Sequence, residues 1–184
     1  MLSLNIFKPK LLLHICCGGC GAYVAQVLKK DYRVSLFLYN PNIFPEEEYE
    51  RRKEVVVKIA KDMKLNLVFG DYNHREWLEK IKGHEKDLER GERCFICYED
   101  RITETAKVAR KKKFKFFTTT LSISPHKDYP MISEIGQKLA KEYGVKFIDK
   151  DFKKQDGFKK SVCLSQKLGL YRQNYCGCEF SRKK

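Results

Sequence analysis

The sequence predicts an α/β fold: a Rossmann-like parallel sheet of about five strands with helices on both faces. Three observations predict it. Short apolar runs alternate with segments of helical periodicity from residue 10 onward. Polar and thiol residues collect where the apolar runs end, as ligand-binding residues do in open parallel sheets. The 184 residues suffice for one sizeable core, and neither a repeat nor a low-complexity linker interrupts them, so residues 1–184 read as a single α/β domain.

Residues 10–17 form the first strand, a short apolar run of the kind buried on both faces. Residues 21–30 follow as a helix, with Val24, Val27 and Leu28 on one side. The second strand, residues 33–39, is stopped by Asn40-Pro41-Asn42. Pro45 starts a long helix whose first turn holds Glu46, Glu47 and Glu48, which suits the helix dipole. A third strand spans residues 65–69 and ends beside Asp71. Residues 73–81 are helical by pattern, residues 82–93 a polar loop, and residues 94–113 a helix ending in basic residues. The fourth strand is residues 114–120, and a loop at 124–128 follows. The helix at 131–143 is closed by Gly144. A fifth strand at 145–149, a helix at 158–168 and a cysteine-rich tail complete the chain.

Charge points to the partner. Lys+Arg is 38 and Asp+Glu is 24, a formal net charge of +14. Such an excess concentrates polyanions near the surface, and nucleic acid leads that class. Arg93, Arg101, Lys127, Lys153, Lys154, Arg172 and the terminal Arg182, Lys183 and Lys184 are candidate phosphate contacts. Tyr98, Tyr129, Phe152, Tyr171 and Tyr175 are candidate base-stacking rings. No apolar stretch approaches a membrane span, and residues 1–10 lack the apolar region of a signal peptide, so a cytoplasmic location is expected.

Eight cysteines in such a chain point to metal or redox chemistry rather than disulfides. Cys163 stands alone and reads as a small buried apolar residue. The other seven are clustered: Cys16, Cys17 and Cys20; Cys94 and Cys97; Cys176 and Cys178. Cys94 and Cys97 share a face on a helix or clasp one metal on a turn. Gly177 lets the backbone between Cys176 and Cys178 fold around a metal or cluster. Adjacent Cys16 and Cys17 point apart in an extended segment, so they serve two neighbouring metals, or one ligates while the other reacts. Structural zinc and a four-iron cluster each take at most four thiolates. Seven exceed that count, which leaves a second metal, a redox-active thiol pair or a cluster with an open iron. Asp71, after the third strand, is the best carboxylate to complete a second iron site.

These residues resemble the cobalamin-independent epoxyqueuosine reductases of the QueH type. The matching pieces are Leu13-His14-Ile15-Cys16-Cys17-Gly18-Gly19-Cys20, Gly91-Glu92-Arg93-Cys94-Phe95-Ile96-Cys97-Tyr98 and Thr119-Thr120-Leu121-Ser122-Ile123-Ser124-Pro125-His126-Lys127. Asp151-Phe152-Lys153-Lys154 with Gly157, and Tyr171-Arg172-Gln173-Asn174-Tyr175-Cys176-Gly177-Cys178, complete the set in family order. The family usually has proline where this chain has Gly19, a difference in loop rigidity more than in ligation. The resemblance implies a nucleotide alpha-hydrolase-like sheet shared with tRNA thiolases, with the cysteine tail folding back on the site. It implies the last step of queuosine synthesis on a tRNA carrying epoxyqueuosine at the wobble position. It also implies a 4Fe-4S cluster with an additional iron beside it, and an electron donor that the sequence leaves unidentified. The residues expected to hold the metals are Cys16, Cys17, Cys94, Cys97, Cys176, Cys178 and Asp71, with Cys20 next; Cys16, Cys17 and Asp71 are expected at the reaction.

Two rivals stand beside this reading. A tRNA thiolase of the ATP-pyrophosphatase type shares the fold and the basic charge, but its Ser-Gly-Gly-x-Asp-Ser loop is absent: Cys20-Gly21-Ala22 follows Gly18-Gly19. A zinc-stabilised RNA-binding protein is the other, and it predicts zinc without redox activity.

Overall fold

A computed structural model describes residues 8–181. Five parallel strands, β1 (Lys10–Ile15), β2 (Arg33–Leu38), β3 (Asn66–Phe69), β4 (Phe116–Thr119) and β5 (Lys146–Phe147), form one sheet in the order β3-β2-β1-β4-β5. Six helices surround it: α1 (Gly18–Leu28), α2 (Glu46–Asp62), α3 (His74–Lys80), α4 (Glu92–Lys111), α5 (Tyr129–Tyr143) and α6 (Gly157–Lys167). Strand order reverses between β1 and β4, and both run in the same direction, so their carboxyl ends open a crevice between them.

The period of β1 sorts the core into two layers. Leu11, Leu13 and Ile15 face one side, where Val24 and Leu28 of α1 and Val56 and Ile59 of α2 cover them. Leu12, with Phe37 of β2 and Phe117 of β4, faces the other, against Ile102 and Ala106 of α4 and Ile135 and Leu139 of α5. With both faces covered, β1 after Lys10 is buried throughout, hence its continuous apolar run.

Several of the element boundaries that differ from the sequence reading fall near the crevice. Residues 16 and 17 are not part of β1, because Cys17 takes an extended conformation as the N-cap of α1 (φ −156°, ψ 153°). The helix therefore begins at Gly18 rather than at residue 21, and Cys20 lies in its first turn. Gly19 admits the close approach of α6: a Cβ there would meet the Ser165 hydroxyl and the Arg172 guanidinium. β4 stops at Thr119, whose Oγ1 accepts a hydrogen bond from the Leu121 amide at 3.1 Å and starts a 3-10 turn over Thr120–Ile123. α5 begins two residues early because Asp128 caps it, accepting from the Met131 amide at 3.0 Å. It ends at Gly144, in the left-handed conformation at φ 63°, as expected.

The tail after α6 is tied down by α2. Arg52, 1% exposed, pairs with Glu48 at 2.7 Å and donates to the carbonyls of Cys176 (3.2 Å) and Tyr175 (3.4 Å). The Tyr171 hydroxyl donates to the second Glu48 oxygen at 2.8 Å. Gly177 turns the chain at φ 111°, where a Cβ would lie 2.9 Å from Ile43 and 3.0 Å from Arg52. The loop before α4 is clamped by Arg93, which donates to the carbonyls of His84 (3.1 Å) and Glu85 (2.7 Å).

Among the described residues, no helix is long and apolar enough to cross a membrane. Arg182, Lys183 and Lys184, and residues 1–7, lie outside the described residues.

Candidate functional site

The crevice between β1 and β4 opens into a cavity of about 990 Å³. Cys16, Cys17 and Cys20 line it from the turn after β1, Cys94 from the first turn of α4, and Cys176 from the tail. Three motifs separated by up to 160 residues thus present thiols to one space. Cys97 and Cys178 lie behind this wall, 7% and 6% exposed. All eight cysteines are free. Among the described residues no three His, Cys, Asp or Glu side chains converge closely enough to hold one metal ion.

Helix N-termini explain why thiols belong here. Cys17 and Cys20 sit at the start of α1, and Cys94 near the start of α4, where unpaired amides favour negative charge. The Arg90 amide donates to Cys94 Sγ at 3.3 Å, and Cys16 Sγ lies 3.8 Å from Thr120 Oγ1. Cys16 and Cys17 reach the same cavity despite being adjacent, because they form a turn into α1 rather than a continuation of the strand.

Burial and charge pull these thiols in different directions. The Cys17 thiol beside it, and then burial, push Cys16 well up. For Cys17 the pull of Cys16 is outweighed by Cys20 and burial, leaving it at about 11. Burial lifts Cys97 to about 11, against the opposing charge of Arg101, and lifts Cys178 to about 12. Cys176 is the exception. Burial works against its thiolate, but the Lys127 ammonium and the Ser181 hydroxyl, 3.3 Å away, hold it below the ordinary thiol value.

Two cations act on the thiols. Arg101, 2% exposed on α4, donates from Nη2 to Cys97 Sγ at 3.0 Å and from Nε to the Cys97 carbonyl at 2.9 Å. Lys127 lines the cavity from the loop after β4. The Tyr98 ring is near both, 5.9 Å from the guanidinium and 5.7 Å from the ammonium.

Several expected residues are elsewhere. Asp71 is exposed after β3, the edge strand two positions from β1, and is not in the cavity wall. Cys163 is exposed on α6 rather than buried, since that helix turns Ser161 and Ser165 toward α1 instead. Arg93 and Arg101 are 3% and 2% exposed and Phe152 3%, so none of these three meets an external polyanion. Lys127, Arg172, Tyr175 and the otherwise buried Tyr98 do line the cavity. Sequence reasoning assigned no role to Arg90, Phe158, Gln173 and Asn174, which also line the cavity. The last two flank the Cys176 motif, and that adjacency is the signal that marks them.

The solved structure of a predicted tRNA methyltransferase subunit from Methanocaldococcus jannaschii is similar, with a TM-score of 0.59 at 13% identity over 86% of this chain and 76% of that one. The U34-tRNA thiolase NcsA from Methanococcus maripaludis, solved with its 4Fe-4S cluster, matches with a TM-score of 0.58 at 13% identity over 96% of this chain and 62% of the thiolase. These likenesses concern the fold alone. Fold and site together define a Rossmann-like α/β protein with a thiol-lined cavity at its topological switch point. A family model for epoxyqueuosine reductase QueH matches residues 11–184. The Thermotoga maritima protein of that name is 42% identical over 178 residues, covering 93% of this chain and 89% of its own length. The Haemophilus influenzae protein of that name is 36% identical, over 94% of this chain and 71% of its own length. The chain belongs to the epoxyqueuosine reductase QueH family.

Proposed function

We propose that this protein reduces epoxyqueuosine in tRNA to queuosine, with the substrate ring in the thiol-lined cavity. Family membership supports the reaction, and the single observation that carries the site is the meeting of Cys16, Cys17, Cys20, Cys94 and Cys176 around one cavity. The reaction takes two electrons and two protons: both epoxide C–O bonds break, a carbon–carbon double bond forms, and the oxygen leaves as water. Two cysteines supply two electrons only by closing to a disulfide, so continued turnover needs an external electron donor, and a resident redox group that passes its electrons belongs to this reading.

The donor set suits a 4Fe-4S cluster with an additional iron. It is soft, largely buried and backed by two helix N-termini. Cys16, Cys17, Cys94, Cys97, Cys176 and Cys178, with Cys20 beside them, are the residues that would hold these metals. Asp71, exposed after β3 and not among the residues lining the cavity, stays the carboxylate proposed for the extra iron beside these thiolates. When bound, such a group supplies electrons and a Lewis-acidic iron.

The chain's other residues bind and orient. Gln173 and Asn174 present amide donors and acceptors to a polar ring, and Phe158 an apolar face. Arg172, held at 3.1 Å by Ser165, points its charge into the cavity that a phosphate-bearing nucleotide would enter. Thr120 and Ser124 close the β4 side. Anaerobic incubation of the reconstituted protein with epoxyqueuosine-containing tRNA and a chemical reductant, followed by nucleoside analysis, tests the reading. Conversion to queuosine by the wild type and its loss in Cys94→Ala and Cys176→Ala, with tRNA still bound, is expected. Full conversion by either variant would remove the cavity from the reaction.

A further inference from the structure

Arg101 and Lys127 make no ion pair with a carboxylate among the described residues. For a guanidinium 2% exposed this is costly, because a buried charge needs an opposite charge to offset its lost hydration. Arg101 instead bonds Cys97 Sγ, and its charge acts also on Cys16 and Cys176. Lys127 acts on Cys176 and Cys16. Both cations thus face thiols from the same three motifs. A bound polyanion does not explain Arg101, since nothing outside the protein reaches it. A helix-anchoring role explains the bond to the Cys97 carbonyl but not the one to sulfur. Arginine stays charged at every accessible pH, so its field is permanent.

We propose that Arg101, with Lys127 near the same Tyr98 ring, is the fixed counter-charge of the thiol site, and that it favours the electron-rich form of a thiolate-bound redox group. Arg101 is a positioning residue in this sense: it acts through Cys97, not on the substrate. Hydrogen bonds and positive charge at ligand sulfur raise a cluster's reduction potential, because the added electron is better stabilised. The inference rests on the iron–sulfur reading above.

The test is the midpoint potential of the anaerobically reconstituted protein, followed by visible and electron paramagnetic resonance spectroscopy, in wild type and in Arg101→Gln, Arg101→Lys and Lys127→Gln. Arg101→Gln and Lys127→Gln are expected to shift the midpoint to more negative potential, and Arg101→Lys to keep most of the wild-type value. Thermal melts of the apo proteins establish folding, and Lys127, being only half-buried, carries the test if Arg101→Gln fails to fold. An unchanged midpoint in the folded neutral variants would overturn the counter-charge role while leaving the reductase reading intact. A wild type that takes up neither iron nor sulfide would overturn the iron–sulfur reading itself, and the inference with it.

Discussion

His14 shows how single residues secure the site. Its Nδ1 lies 2.8 Å from Thr119 Oγ1 on β4, and its Nε2 lies 3.0 Å from the Tyr39 carbonyl beyond β2, so one imidazole ties the three strands that frame the crevice. Burial, reinforced by Arg101, lowers it to about 3. The unfolded chain protonates this ring below about pH 6.5, the folded chain only near 3, so in that window the unfolded state binds more protons. The apo protein is therefore expected to lose stability as pH falls from 7 toward 5, and His14→Ala should cost about 2–4 kcal/mol in urea unfolding by orphaning two buried groups. A His14→Ala protein as stable as wild type would refute this role. Cysteines separate by place rather than by type. Cys163→Ala, exposed and outside the cavity, should leave iron content and turnover unchanged, whereas Cys94→Ala should remove most of both.

At the scale of elements, α2 holds the tail through Arg52 and Glu48. Arg52→Ala would leave Glu48 buried without its cation and free the carbonyls of Tyr175 and Cys176. A loss of about 3–5 kcal/mol in thermal or chemical unfolding is expected, with reduced metal uptake. Gly177→Ala should impair uptake through backbone strain at φ 111° with little loss of sheet stability, which circular dichroism and iron analysis separate. The strands and helices were legible in the sequence because period and caps agree: the apolar run of β1, Pro45 before α2 and Gly144 after α5. The start of α1 was not, since Cys-Cys-Gly-Gly carries no apolar period, and its glycines show their use only in close packing against α2, β1 and α6. The site was legible as clustered thiols. Arg101 was not: a basic residue on a helix reads as solvated until its burial beside Cys97 is seen. Asp71 could be placed at the end of a strand but not relative to the switch point, because strand order is not written in one sequence.

At the scale of the whole molecule, a net charge of +14 would draw a polyanion such as tRNA toward the surface. Affinity for tRNA is expected to fall at least about tenfold between ~50 and ~200 mM salt, as counterion release requires. Binding indifferent to salt would assign that charge to solubility alone. The sheet places the cavity at its switch point, the helices supply positive ends, and the tail closes the thiol wall. The central claim is that this wall holds an iron–sulfur group for reduction. Iron, zinc and acid-labile sulfide analysis of protein purified without oxygen tests it most directly. The account predicts brown protein with iron in excess of sulfide. Colourless protein with one zinc and no sulfide, even after anaerobic reconstitution, would contradict it and make the thiols a structural zinc site.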